Sequence, residues 1–398
     1  MSRIVFFCIP AHGHTNPTLG VVRELVARGH EVLYYSYRML QKDIESTGAT
    51  FVACDEFDAQ QHLTPQEGAR IGSDLALSTR VLVDTTLALD EAVCREMERL
   101  RPDCIVADSM AVWGKAVALK LGIPFVSSTT TFAFNRYSAR IMKQSGKGML
   151  SMLFSMREVN RQIRRLRDRG YPVKSILDII SNDENTDTIV YTSPQFQPCA
   201  ETFSEKYAFV GPSIRPTVQQ IPKTRDRLVY VSMGTVNNDM LPLYRSCIAA
   251  LKDMDCQVIL SVGNQVDLSQ FGPLPEGIAV YSSVDQMAVL EKADVFVSHC
   301  GMNSVSESLY FSVPLVMLPK TSEQEGVAAR VEQLGAGLLL KKTTPEAIRE
   351  AVTRVLEDPS FREAAARIAE GFRACPGAKG AADKIESCCR TVVPKIHG

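Results

Sequence analysis

The sequence predicts an α/β protein made of two parallel-sheet domains. Three observations carry that expectation. A strand–turn–helix–strand unit occupies Asp294–Leu318, a second βαβ unit spans Ile4–Tyr37, and a proline-punctuated stretch, Gly211–Lys223, separates two series of alternating strands and helices. At 398 residues the chain is long enough for two domains of roughly 200 residues each. The division expected is residues 1–211, a linker at 212–224, a second domain at 225–380 and a terminal helix at 381–398.

In chain order, Ile4–Ile9 is an apolar run of strand length, and Pro10–Thr15 reads as the loop after it. Asn16 and Pro17 have the chemistry of a helix cap and first position. Leu19, Val22, Leu25 and Val26 repeat at helical spacing, and Gly29 ends the run. Strand Glu31–Tyr37, helix Met39–Ser46 and strand Thr50–Cys54 follow, then a polar stretch to about Thr79. Helix Leu87–Leu100, strand Pro102–Ala107, helix Val112–Leu121 and strand Pro124–Ser128 continue the rhythm. Phe132–Gly170 is helical and rich in Met and Arg, and Thr188–Thr192 and Tyr207–Val210 are the last strands of this half. No GxGxxG opens the first helix, which argues against a dinucleotide site.

The second series starts with strand Leu228–Met233, turn Gly234-Thr235, helix Leu241–Leu251 and strand Gln257–Val262. Strand Ile278–Tyr281, helix Gln286–Glu291 and strand Asp294–Ser298 come next. A helix capped by Asn303 or Ser304, strand Val313–Leu318 and a loop Pro319–Gln324 complete the unit. Thr344-Pro345-Glu346 has the cap, proline and acid of a helix start. Pro376–Gly380 breaks the chain before the final helix, Ala381–Val393.

Bulk properties exclude several classes. A formal charge of −1 gives no electrostatic case for nucleic acid or a membrane surface. No apolar run approaches the ~18 residues of a membrane span. Eleven cysteines, with an adjacent pair at Cys388–Cys389 and no CxxC, do not form a disulfide framework, so a cytoplasmic location is expected.

In a parallel sheet, ligands bind beyond the carboxyl ends of the strands, where His299–Ser304 and Glu323–Gln324 both fall. The first cluster opens a helix whose backbone N–H groups favour an anion, with Gly301 allowing close approach and His299 adding a donor. A carboxylate–amide pair suits sugar hydroxyls instead. Phosphate on one side and polyol on the other point to a nucleotide sugar.

His299-Cys300-Gly301-Met302-Asn303-Ser304, then Glu307, Val313-Pro314 and Glu323-Gln324, resemble the donor signature of UDP-dependent glycosyltransferases. Those are inverting enzymes of the GT-B fold, two Rossmann-like domains facing each other across a cleft. The similarity is greatest to the bacterial macrolide and flavonoid glycosyltransferases, and it spans nearly the whole chain. It implies a UDP-sugar as co-substrate, a small-molecule acceptor, and a last helix that crosses back onto the N-terminal domain. A monomer or weak dimer is expected.

His14 is the candidate base, because it follows the first strand and an imidazole titrates near working pH. The competing reading is a loop histidine that only bonds backbone, but Pro10-Ala11-His12-Gly13-His14-Thr15-Asn16-Pro17 resembles the family's base-bearing loop. Asp108, ending a strand of the same domain, can hold His14 in one tautomer, although strand-end aspartates are often simple helix caps. Thr235 is placed for the diphosphate, unless Met233-Gly234-Thr235 is only a turn. Gln286 and Glu307 resemble nucleoside-binding residues of the family, with Glu307 on the ribose. Ser283 stands where many relatives have tryptophan, so base recognition is expected from Val284 backbone groups. Glu323 stands where many have aspartate. Met110, Phe132 and Phe134 are candidates for an apolar acceptor pocket, or equally for core.

Asp253-Met254-Asp255 is a DxD, a metal-binding pattern elsewhere, but it lies at the wrong end of its strand. No metal or other cofactor is expected. Cys300 between strand and helix resembles a nucleophile elbow, a hydrolase or amidotransferase reading. A nucleotide-sugar sensor or carrier and a nucleotide-sugar epimerase are the further alternatives.

Overall fold

The computed structural model describes residues 1–55, 64–68, 74–135, 137–138, 146–176, 178, 184–234 and 240–390. The chain forms two compact units. One comprises Met1–Tyr191, Gln197–Val210 and Pro376–Gly398, the other Thr192–Phe196 and Gly211–Cys375.

The first unit contains β1 (Arg3–Phe7), α1 (His12–Ala27), β2 (Glu31–Ser36), α2 (Gln41–Glu45), β3 (Thr50–Ala53), α3 (Pro65–Gly68) and α4 (Leu75–Leu100). It continues with β4 (Cys104–Asp108), α5 (Val112–Leu121), β5 (Phe125–Thr129), α6 (Gly146–Asp168), β6 (Asp187–Val190) and β7 (Tyr207–Phe209). These strands make one parallel sheet in the order β3-β2-β1-β4-β5-β6-β7. Alternation along β1 explains its two covered faces. Ile4 and Phe6 pack with Val22 and Leu25 of α1. Val5 and Phe7 turn the other way, onto Leu89 and Met97 of α4 and Trp113 of α5.

The second unit contains β8 (Leu228–Ser232), α7 (Leu241–Leu251), β9 (Gln257–Ser261), β10 (Ile278–Tyr281), α8 (Gln286–Leu290), β11 (Val295–Ser298) and α9 (Met302–Tyr310). Then come β12 (Leu315–Met317), α10 (Ser322–Gln333), β13 (Gly337–Leu339), α11 (Pro345–Glu357) and α12 (Pro359–Arg373). Its sheet is parallel too, in the order β10-β9-β8-β11-β12-β13. The last helix, α13 (Gly377–Cys389), returns to the first unit, where Ala381, Ala382 and Ile385 join the core shared with α1.

Several boundaries differ from the sequence expectation. Helix α1 begins at His12, so Pro17 lies inside it and His14 sits in its first turn rather than in a loop. Pro17 has no N–H to give the Gly13 carbonyl four residues back, so α1 runs on without that one bond near its start. Helix α4 starts at Leu75, inside the stretch expected to be polar and irregular. Asp74 caps it by accepting from the Leu77 N–H at 3.0 Å, and Leu77, Thr79 and Val81 are buried. Gly301, with no side-chain cap, precedes α9, so Asn303 and Ser304 are in its first turn and neither is its cap. Glu323 and Gln324 belong to α10 and not to a loop, because Thr321 and Gln324 form a capping box there. Among the described residues no helix is long and apolar enough to cross a membrane.

Candidate active site

In the first sheet the strand order reverses between β1 and β4, which pair in register from Ile4↔Cys104 to Phe7↔Ala107. Open α/β sheets bind ligands at such a point, beyond the carboxyl ends. His14 and Asp108 come from the two elements that flank it. His14 Nδ1 lies 2.8 Å from Asp108 Oδ2, with the carboxylate side chain fully buried and the imidazole 21% exposed. The other carboxylate oxygen accepts from the Met110 backbone N–H at 2.9 Å. Beyond β5, the Thr130 hydroxyl lies 3.1 Å from the same His14 Nδ1. A buried carboxylate holds the proton on Nδ1, and that tautomer leaves Nε2 as the basic nitrogen. Cys8 lies beneath the loop with its sulfur 3.4 Å from the Thr15 hydroxyl. Burial and then the Asp108 charge push its thiol far up, so it stays protonated. Near this edge Met110 and Phe134 are half exposed, whereas Phe132 is 2% exposed and packs as core.

The second sheet repeats the plan, with its order reversing between β8 and β11. Gly234 follows β8 with φ +82°. A Cβ there would stand 2.5 Å from His299 Cε1, and a Cβ on Gly301 2.8 Å from His299 Nε2. The imidazole is therefore seated between two glycines, and either side chain would displace it. Burial pulls the His299 pKa down to about 4, against the raising effect of the Ser232 backbone. The ring is neutral at physiological pH and can give a hydrogen bond but no charge. Its buried Nδ1 makes no hydrogen bond of good geometry among the described residues, and the Ser232 backbone is the polar group that acts on the ring. The N-terminus of α9, uncapped by any side chain, lies next to it.

Cys300 has the left-handed backbone of an elbow, φ +69°, but its side chain is buried and points inward. Its sulfur lies 3.7 Å from the Ser298 carbonyl, and burial pushes the thiol up to about 12. A thiol so held is not a nucleophile, which removes the hydrolase reading.

One turn into α9, Glu307 accepts a short hydrogen bond from Gln286 Nε2, which also donates to Ser304 Oγ at 3.5 Å. The Tyr230 hydroxyl donates to Gln286 Oε1 at 3.1 Å. Burial raises the Glu307 pKa to about 7, opposed by the Gln286 hydrogen bond. Val284, half-buried, precedes α8, and Ser283 beside it is exposed. Glu323 is exposed in the first turn of α10. Gln324 Oε1 accepts from the backbone N–H of Lys320 at 2.8 Å and of Thr321 at 3.3 Å, which directs its amide nitrogen away from the cap. Thr235 lies outside the described residues. Asp253 and Asp255 precede β9, at the amino end of the sheet, and lie 3.3 Å from Arg349 and 3.8 Å from Arg225.

Sequence reasoning missed Thr130 and Tyr230. Thr130 follows the end of β5, the strand that pairs Asp108↔Ser128, so adjacency to β4 was the available signal. Tyr230 reads as one more apolar residue in a strand.

A family model described as erythromycin biosynthesis protein CIII-like, C-terminal domain, matches residues 245–388. The NDP-glycosyltransferase YjiC of Bacillus licheniformis is 33% identical over 96% of this chain and 97% of its own length. Demethyllactenocin mycarosyltransferase of Streptomyces fradiae is 30% identical over 97% of this chain and 86% of its own. The crystal structure of CalG4, the calicheamicin glycosyltransferase, is similar at a TM-score of 0.82 and 29% identity, covering 99% of this chain and 100% of that one. Likeness of this extent, with two Rossmann-like sheets in place, shows that the chain belongs to the GT-B glycosyltransferases of the bacterial UDP-glucosyltransferase and macrolide glycosyltransferase type.

Proposed function

We propose that this glycosyltransferase moves a sugar, glucose first among candidates, from a UDP-sugar to a hydroxyl of an apolar small molecule, with inversion. The observation that carries the reading is the 2.8 Å contact of His14 with a fully buried Asp108 at the switch point of the first sheet. His14 Nε2 takes the proton of the acceptor hydroxyl as its oxygen attacks the anomeric carbon, and Asp108 stabilises the imidazolium that forms. The carbon–oxygen bond to the diphosphate breaks on the opposite face, so one displacement inverts the centre.

The second unit holds the donor. The N–H groups at the start of α9, with Asn303 and Ser304, and His299 stabilise the departing diphosphate, and Thr235 adds a hydroxyl in this reading. Glu307 accepts from the ribose hydroxyls, Gln286 supports it, and Val284 backbone groups face the base. Glu323 and Gln324 hold the sugar. Met110 and Phe134 provide apolar surface for the acceptor. With the diphosphate met by amides and an imidazole, we propose that no divalent ion is required. Eleven free thiols suit a reducing compartment, the cytoplasm.

The test is UDP-glucose with a panel of phenols, flavonoids and macrolides, with and without EDTA, reading UDP release and product mass. Transfer that survives EDTA is expected. His14→Ala should lower kcat by roughly 10²- to 10⁴-fold while UDP-glucose binding is kept. Near-normal turnover in a folded variant would refute the base. Donor conversion without any acceptor would indicate an epimerase, and binding without UDP release a sensor or carrier.

A further inference from the structure

Tyr230 lies on β8, 1% exposed, with its ring stacked on Phe296 of β11 at 4.7 Å and 17°. It projects away from Val229 and Val231, which face the apolar core of the second unit. Burial drives its pKa far above the usual phenol range, and the hydroxyls of Ser232 and Ser261 face its oxygen. The phenol thus keeps its proton, and it donates that proton to Gln286 Oε1. An amide that accepts at one end must donate at the other, and there Gln286 Nε2 meets Ser304 Oγ and Glu307 Oε2.

We propose that Tyr230 is a positioning residue for the donor site: it locks the Gln286 amide in the orientation that keeps Glu307 an ionised acceptor for the ribose. This rests on the donor assignment made above. A protonated Glu307 would be stabilised by the flipped amide, whose carbonyl could accept the acid proton. With Tyr230 in place, the flip gives up the bond from the phenol to the Gln286 carbonyl and turns the amide N–H groups onto an oxygen that the Ser232 and Ser261 hydroxyls already face. Tyr230 therefore penalises the one rearrangement that would let the acid form persist. The Gln286 hydrogen bond already holds the Glu307 carboxyl lower than burial alone would, and Arg215 acts in the same direction while Asp285 opposes it. The Asp285 carboxylate accepts from the Val218 and Gln219 N–H groups. Arg215, Asp285 and Tyr230 are thus charged and titratable neighbours of Glu307.

The experiment is calorimetric binding of UDP-glucose between pH 5.5 and 8.5 to the wild type, Tyr230→Phe and Glu307→Gln. UDP-glucose is the probe because its phosphates are diesters that do not titrate in this range. His299, held near 4, stays neutral throughout. Wild-type affinity should fall as the pH drops through about 7, where Glu307 takes up its proton. The Phe variant keeps the stacked ring. One hydrogen bond's worth of bias should move its midpoint up by about half to one pH unit, with Kd at pH 6.5 weaker by roughly three- to eight-fold and convergence with the wild type by pH 8.5. Glu307→Gln should flatten the profile. Parallel profiles for wild type and Tyr230→Phe, whatever their offset, would overturn the positioning role alone. Failure of the wild type to bind UDP-glucose at any pH would overturn the donor assignment with it.

Discussion

Asp108 has no solvent contact, so both of its oxygens must be served from within. One accepts from the Met110 N–H and the other faces His14. An asparagine would keep the Met110 bond yet turn its amide group toward the imidazole, which selects the tautomer protonated on Nε2 and disables the base. Asp108→Asn should lower kcat by roughly 10³- to 10⁴-fold and leave the KM for UDP-glucose within about two-fold. A loss confined to KM would show that the carboxylate serves binding instead. Both partners of this contact were legible in the sequence, because Asp108 ends a strand, and His14 comes soon after one, whose apolar runs are unmistakable. Thr130 was not, since which strands become neighbours is decided by packing over a hundred residues of chain.

Among the elements, helix starts were the hardest to read. Asn16-Pro17 has the residues of a helix beginning, yet α1 reaches back to His12 and takes Pro17 inside it. Asp74 was hidden in a polar stretch that proved to be a cap with a 26-residue helix behind it. Thr321 and Gln324 were read as loop, although Thr-x-x-Gln is itself the capping-box pattern. That box gives a clean test of the sugar contact. Glutamate also serves as its third-position acceptor, so Gln324→Glu keeps the cap while it exchanges the two amide donors for a carboxylate charge. Stability should stay within about 0.5 kcal/mol of the wild type, while transfer from UDP-glucose falls at least about ten-fold. Unchanged transfer with an intact melting profile would remove Gln324 from the sugar site.

Over the whole molecule, α/β class and the two strand–helix series followed from periodicity alone, since parallel strands covered on both faces read as continuous apolar runs. The connectivity did not. The first unit is discontinuous in sequence, taking in Pro376–Gly398 as well as its N-terminal strands. Ala381, Ala382 and Ile385 of α13 are wholly buried in it. A chain stopped after Cys375 should therefore lose more than about 3 kcal/mol from that unit and expose the apolar face of α1. Circular dichroism melts and dye binding would show it, and a truncated chain that melts like the full one would mean that α13 is dispensable.

The ribosome releases the founding strand of the first unit early and its closing helix last. Residues 211–375 have all been made by then, so the earlier-born fold waits, with α1 lacking part of its cover, until α13 arrives. Synthesis interrupted between Cys375 and α13 leaves a second unit with all its residues beside a first unit that lacks its last helix.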